Sequence, residues 1–239
     1  MDKLPEILFE DNHLLIVNKR PGDIVQGDKT GDIPLTEHLK SYLKLKYNKP
    51  GEVFLGLVHR LDRPVSGAVI FARTSKALTR LTSMVKDREI AKTYWAIVET
   101  LPEPPEATLI HFLKKNEPQN KSYIVKEGVP GAKKAELRYR LLASGKTFHL
   151  LEIELISGRH HQIRAQLSAI GCSIKGDLKY GAKRSNSDGS ICLHARFLLF
   201  LHPVNKESVK ITAPVPDTIE WNIFGNLSNF SKLIGLSDK

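Results

Sequence analysis

The chain has 239 residues and carries 36 Lys and Arg against 26 Asp and Glu, a formal net charge of +10. At 41% hydrophobic and 26% charged it has a globular composition, which excludes fibrous and low-complexity classes. No apolar stretch reaches the roughly 20 residues of a membrane-spanning helix, and the 2 cysteines, Cys172 and Cys192, are too few for a disulfide framework. The cationic surplus favours a polyanionic partner such as a phosphate backbone. The start, MDKLPEILFED, is acidic and lacks a basic-then-apolar leader, so a cytoplasmic location with reduced thiols is expected.

In chain order, EILFEDNHLLIVNKRPG reads as two short strands turning at Asp11-Asn12 and stopped by Pro-Gly. LTEHLKSYLKLKYNKPG places Leu35, Leu39, Tyr42 and Leu43 at helical spacing. AVIFART is a buried strand, after which Ser75 is expected to cap a helix with Ala77, Leu78, Leu81, Met84 and Val85 on one face. KTYWAIVET is the next strand. A Pro-rich stretch, LPEPPEATLI, and the polar KKNEPQNKS mark the middle of the chain. KAELRYRLLAS and TFHLLEIELIS form a hairpin about Gly145. GRHHQIRAQLSAIG is a loop entering a helix, with Ile163, Leu167 and Ile170 inward and Gly171 as its stop. The Gly/Ser-rich segment 182–190 reads as a mobile loop. LHARFLLFLHP and VKITAP are further strands, DTIEWNIFG is a short closing helix, and the tail NLSNFSKLIGLSDK docks as a helix or frays. Strands joined mostly by turns, with interspersed helices, give an α+β class with a mixed, largely antiparallel sheet. No G-x-G-x-x-G or Walker-type loop occurs, which argues against a nucleotide cofactor.

Chemistry concentrates in LVHRLDRPVSG, where Asp62 stands among His59, Arg60 and Arg63. Neighbouring cations favour an ionised carboxylate, which serves as nucleophile, general base or metal ligand. Metal is the weakest of these, because no second acid is near and the cations repel a metal ion. A surface ion pair in a loop competes with all three. His160, His161 and His194 invite a metal reading, but adjacent histidines on a helix point apart and no cysteine or carboxylate completes a set. Lys114, Lys115, Lys121, Lys133 and Lys134 could grip phosphates or form a solvated face.

HRLDRPVSG resembles the active-site signature of the RluA family of RNA pseudouridine synthases. The resemblance continues through KTYWAIVE, SGRHHQIRAQLSAIGCSIKGDLKYG and LHARFLLFLHP followed by ITAP, in the family's order. It implies one catalytic domain over 1–239 with the pseudouridine synthase fold, in two halves of about 1–105 and 106–239. Their sheets join across a central active-site cleft. It implies isomerisation of uridine to pseudouridine in structured RNA, with no cofactor and no metal. By the same resemblance Asp62 is the catalytic aspartate, and Tyr94 stacks on the uracil and is a candidate for the later proton transfer. Arg164 pairs with the carboxylate, and Arg60 helps to extrude the target nucleotide.

His59, Lys92 and His161 are assigned to RNA contact or to orienting the cleft, Lys92 meeting backbone phosphate. The chain departs from the common pattern at Pro64-Val65, where Asp-Thr is frequent, and at His160, where Thr is common. It is expected to lack the S4-type RNA-binding domain that many relatives carry and to act as a monomer. Ribosomal RNA is favoured over transfer RNA as the target. A non-catalytic RNA-binding protein is the rival of a different class. A nucleosidase or glycosidase is the third reading, and it lacks the usual second acid.

Overall fold

The computed structural model describes residues 4–27 and 31–224. Strands β1 (Glu6–Glu10) and β2 (Leu14–Lys19) are turned by Asp11, whose carboxylate accepts the amides of His13 at 2.7 Å and Leu14 at 2.6 Å. This is the side-chain turn that Asp forms readily. Helix α1 (Leu35–Lys46) buries Leu35, Leu39 and Leu43 along one stripe. Strands β3 (Gly56–Leu57) and β4 (Ser66–Ala72) flank the Asp62 loop.

Helix α2 (Ser75–Lys86) is capped one residue earlier than expected. Thr74 takes the extended conformation that a cap requires, and its hydroxyl accepts the Ala77 amide at 3.2 Å, whereas Ser75 is already helical.

After β5 (Ala91–Val98), the mid-chain segment forms β6 (Glu106–Asn116) and β7 (Lys121–Val125). The long hairpin of β8 (Lys133–Ser144) and β9 (His149–Leu155) follows, then α3 (Gln162–Ala169) and a 3-10 turn at Leu178–Tyr180. β10 (Leu193–Leu201), β11 (Ser208–Thr212) and α4 (Ile219–Asn222) complete the described chain, and the tail at 226–239, read as either a docked helix or a frayed end, lies outside it. The 182–190 segment, expected to be mobile, is instead anchored. Asn186 and Ser190 are buried, Asn186 accepts the Lys175 ammonium at 2.7 Å, and its amide donates to Ser190 Oγ at 3.2 Å.

One sheet runs through the molecule in the order β1-β2-β4-β10-β5-β9-β8-β6-β7, with β11 on β10 and β3 on β4. Strict alternation explains the apolar run of β2. Leu15 and Val17 pack towards α1 together with Val69 and Phe71 of β4, while Leu14 and Ile16 pack towards α2 with Ile70.

The β4–β10 contact is parallel and short, pairing His194 with Ser66 and Ala195 with Gly67. Gly67 has φ +116°, and a Cβ there would lie 2.4 Å from the Ala195 carbonyl oxygen, so only glycine permits the crossing. His194 fixes it from the other side. Its Nδ1 meets Ser66 Oγ at 2.8 Å and its Nε2 meets the Ala213 carbonyl at 3.0 Å. β10 thereby joins the N-terminal strands to β5 and everything beyond it.

Candidate active site

The Asp62 loop is held from beneath by Lys19, the buried last residue of β2. Its ammonium donates to the carbonyls of Arg20 (2.9 Å), Arg63 (3.1 Å) and Val65 (2.7 Å). Burial pushes this lysine down to about 8. The Val65 amide closes the turn onto the Asp62 carbonyl at 3.0 Å, and the Ile191 amide fastens Pro64 at 3.1 Å. The loop is therefore fastened from Asp62 to Val65.

Opposite stands the start of α3. Gln162 braces the incoming loop, accepting the Ser157 hydroxyl at 2.8 Å and the Arg159 amide at 2.9 Å. One turn of helix beyond His161, Arg164 reaches back across the cleft. Its Nη1 donates to Asp62 Oδ2 at 2.9 Å, while Nε and Nη2 form a two-pronged contact with Asp177 at 2.7 and 2.8 Å. Burial opposes the charge of Arg164, but the bonds to Asp177 outweigh it and hold the guanidinium above its ordinary range. Within the described residues both close contacts of the Asp62 carboxylate fall on Oδ2, from Arg164 and from His161 Nε2 at 3.4 Å. Oδ1 is left open.

Asp62 lines a cleft of about 700 Å³ that Tyr94 also lines. Tyr94 projects from β5, and burial together with the charge of Asp62 raises its phenol well above the ordinary value. Lys92, two residues earlier on the same strand face, lines the cleft too, and burial lowers its ammonium. His59 accepts the Ile70 amide at 3.3 Å, and burial, then the charge of Lys92, push it down to about 3. Arg60 is exposed at the rim, alongside Lys86 and Arg88. The structure thus gathers Asp62, Tyr94, Arg164, Arg60, His59, Lys92 and His161 around one cavity. A second carboxylate on its wall, Glu154, is 52% exposed and paired with Arg138 at 3.3 Å.

One sequence expectation needs correction. His160 and His161 do not point apart: they precede the helix, His161 has φ +52°, and their rings stack at 3.8 Å. The lysines of the mid-chain hairpin, read as phosphate grips or a solvated face, lie on β6, β7 and β8 outside the cleft lining. Lys115 pairs with Glu117 at 2.6 Å and Lys121 sits 5.0 Å over the Tyr180 ring. His194 is fully buried in the β4–β10 crossing, where both its ring nitrogens meet protein groups. Asp177, Tyr180 and Lys19 carry much of the architecture and had no assigned role. The first two lie in GDLKYG, where a buried-type tyrosine three residues after an acid was the available signal. Among the described residues no cluster of three or more His, Cys, Asp or Glu is arranged to hold a metal ion.

The family model of RNA pseudouridylate synthase matches residues 13–169. The chain belongs to that family. It is 32% identical over 225 residues to the ribosomal large subunit pseudouridine synthase D of Zymomonas mobilis, covering 90% of this chain and 70% of the relative. It is 31% identical over 225 residues to the ribosomal large subunit pseudouridine synthase C of Vibrio parahaemolyticus, covering 92% and 68%. Among solved structures, human RNA pseudouridylate synthase domain containing 4 superposes with a TM-score of 0.78 at 25% identity, covering 93% of both chains. Pseudouridine synthases isomerise uridine to pseudouridine in RNA, and the α+β sheet described above is their fold.

Proposed function

We propose that this pseudouridine synthase acts on ribosomal RNA, with Asp62 as the reacting carboxylate, Arg164 as its partner and Tyr94 as the surface on which the uracil lies. One observation carries the residue assignment: Arg164 holds Asp62 through Oδ2 at 2.9 Å, in a cleft that Asp62 and Tyr94 line together. The reaction breaks the N-glycosidic bond, turns the uracil and rejoins it through carbon, with loss of a proton from C5. Attack at C1′, attack at C6 and proton removal at C2′ all require an ionised carboxylate with one oxygen unencumbered.

The target base must leave its stack, at a cost of a few kcal/mol. Stacking on Tyr94 returns roughly 1–3 kcal/mol of this. Arg60, at the exposed rim, fills the vacated place in the helix. Lys92 and His59 meet the backbone beside the base, and the net charge of +10 adds salt-sensitive affinity. The ribosomal target is supported by the names of the relatives in Zymomonas and Vibrio. A glycosidase reading is disfavoured, since Glu154 is engaged with Arg138.

Two measurements test this. Asp62→Asn abolishes pseudouridine formation and leaves RNA affinity within about twofold of wild type; modification by the variant would overturn the assignment. A deletion strain, with its RNAs mapped by an adduct that stops reverse transcription, loses a pseudouridine from ribosomal RNA. Loss from transfer RNA alone would overturn the target.

A further inference from the structure

His161 is built into the site more firmly than a cleft-lining residue needs to be. It is 8% exposed and adopts φ +52°, a conformation uncommon outside glycine and mildly strained for histidine. Its Nε2 lies 3.4 Å from Asp62 Oδ2 and its Nδ1 lies 3.0 Å from the Tyr180 hydroxyl. The hydroxyl is itself placed by β7, accepting the Ser122 amide at 2.8 Å, with the Ser122 carbonyl 3.2 Å away. His160 stacks on the other face of the imidazole at 3.8 Å and is pinned by Ser122 Oγ at 2.9 Å and Asn120 at 3.1 Å. Every edge and one face of the ring are engaged.

The hydroxyl has one proton and two candidate acceptors. If it were given to the Ser122 carbonyl, a neutral His161 would have to donate from Nδ1 and turn a bare Nε2 towards a carboxylate oxygen. Given to Nδ1 across the shorter distance, it leaves Nε2–H to donate to Asp62, and the group left wanting is a carbonyl, the cheapest polar group to leave under-satisfied. A doubly protonated ring is the remaining possibility. It is opposed by burial, by the cations Arg164 from α3 and Lys179 from the 3-10 turn, and by the stacked His160 once that ring is itself protonated, with Asp62 alone in favour.

Resting on the reading of Asp62 as the reacting carboxylate, we propose that His161 is a positioning residue: a neutral imidazole, protonated on Nε2 and oriented by the Tyr180 hydroxyl, that presents its Nε2–H to Asp62 Oδ2 across 3.4 Å. Arg164 and His161 then fix one carboxylate oxygen from two directions, so that the lone pairs of Oδ1 are aimed at the substrate. Ser122 and Tyr180 extend the connection to the edge strand β7, so displacement of that strand would be felt at Asp62.

The test has a spectroscopic arm and a kinetic arm. In long-range proton–nitrogen correlation spectra of histidine-labelled protein, the His161 signals are assigned by their loss in His161→Gln. Between about pH 6 and 8, Nε2 is expected to be the protonated nitrogen and Nδ1 the bare one. Protonation on Nδ1 alone, or on both nitrogens, overturns the proposal.

In single-turnover kinetics, His161→Asn tolerates the left-handed backbone and keeps an amide near Tyr180, but it is too short to reach Asp62. Its chemical step slows about 10- to 100-fold with unchanged RNA affinity, and the acid limb of its rate profile moves to higher pH. His161→Gln, whose amide reaches the Nε2 position, recovers most of the rate. An Asn variant as fast as wild type, or a Gln variant no better than Asn, overturns the proposal. Activity retained in Asp62→Asn would instead defeat the underlying reading and leave the tautomer result standing on its own.

Discussion

Asp177→Asn isolates the contribution of one charge at constant volume. Asp177 is 1% exposed and Arg164 is 5% exposed, so water screens neither partner. The wild-type carboxylate accepts two guanidinium donors at 2.7 and 2.8 Å. An asparagine can accept one, and its NH₂ group then confronts the other donor. Truncating one partner of a buried pair costs about 3–5 kcal/mol. The surviving amide acceptor and the Asp62 contact place this case near the lower end, at about 3 kcal/mol. For a chain of this size each kcal/mol moves Tm by about 2–4 °C, so a fall of about 6–12 °C is expected by scanning calorimetry at neutral pH. Well below that transition, release of tritium from C5-labelled uridine in RNA reports the reaction directly, and kcat falls about tenfold as Arg164 loses its orientation. A Tm change of less than about 2 °C would refute the reasoning, since Arg164 would then not depend on Asp177.

Other expectations follow from the same coordinates. Gly67→Ala, whose new methyl would lie 2.4 Å from the Ala195 carbonyl oxygen at φ +116°, destabilises by more than about 4 kcal/mol in urea unfolding or fails to fold. Gly128→Ala, also at positive φ (+84°) but in open space, costs only about 1 kcal/mol. Lys19→Met leaves the carbonyls of Arg20, Arg63 and Val65 without their ammonium donor and lowers stability by roughly 2–3 kcal/mol, read from the same urea midpoint. Acid weakens the fold through His194, which burial holds down at about 4. The unfolded chain takes up this proton near the ordinary value of about 6.5 and the folded chain does not. Stability is therefore full above about 6.5 and falls as pH drops towards 4, by about 2 kcal/mol at pH 5. Unfolding midpoints at pH 7 and 5 measure the summed loss, to which His59 also contributes, and the His194 share is the part that His194→Gln removes.

Much of the fold can be read from local pattern. Leu35, Leu39 and Leu43 at helical spacing, the apolar runs of β2 and β4, and the turns at Asp11 and Gly145 each announce an element, because short-range sterics and one-sided burial dictate them. The pairing of Asp62 with Arg164 was legible through HRLD and GRHHQIR. The partners that make them work were not. Lys19 reads as the polar end of a strand, and nothing around it in sequence shows that three carbonyls from other positions will surround its ammonium. Asp177 and Tyr180 gain their meaning only when the 3-10 turn docks against α3 and β7. The stacking of His160 on His161 depends on one left-handed residue, and helical periodicity is blind to that. Order along the sheet is hidden for the same reason: the β4–β10 crossing rests on two residue pairs, and its signature is a single glycine.

The central position of β10 has a consequence for biosynthesis. β4 and β5 leave the ribosome early, yet the strand that belongs between them is not complete until Leu201 has been made. Until then two unsatisfied strand edges remain open on the nascent polypeptide, where they invite pairing with other chains. Closure must wait until β10 has been made, so the Asp62–Arg164 contact and protection from aggregation arrive in the same late event.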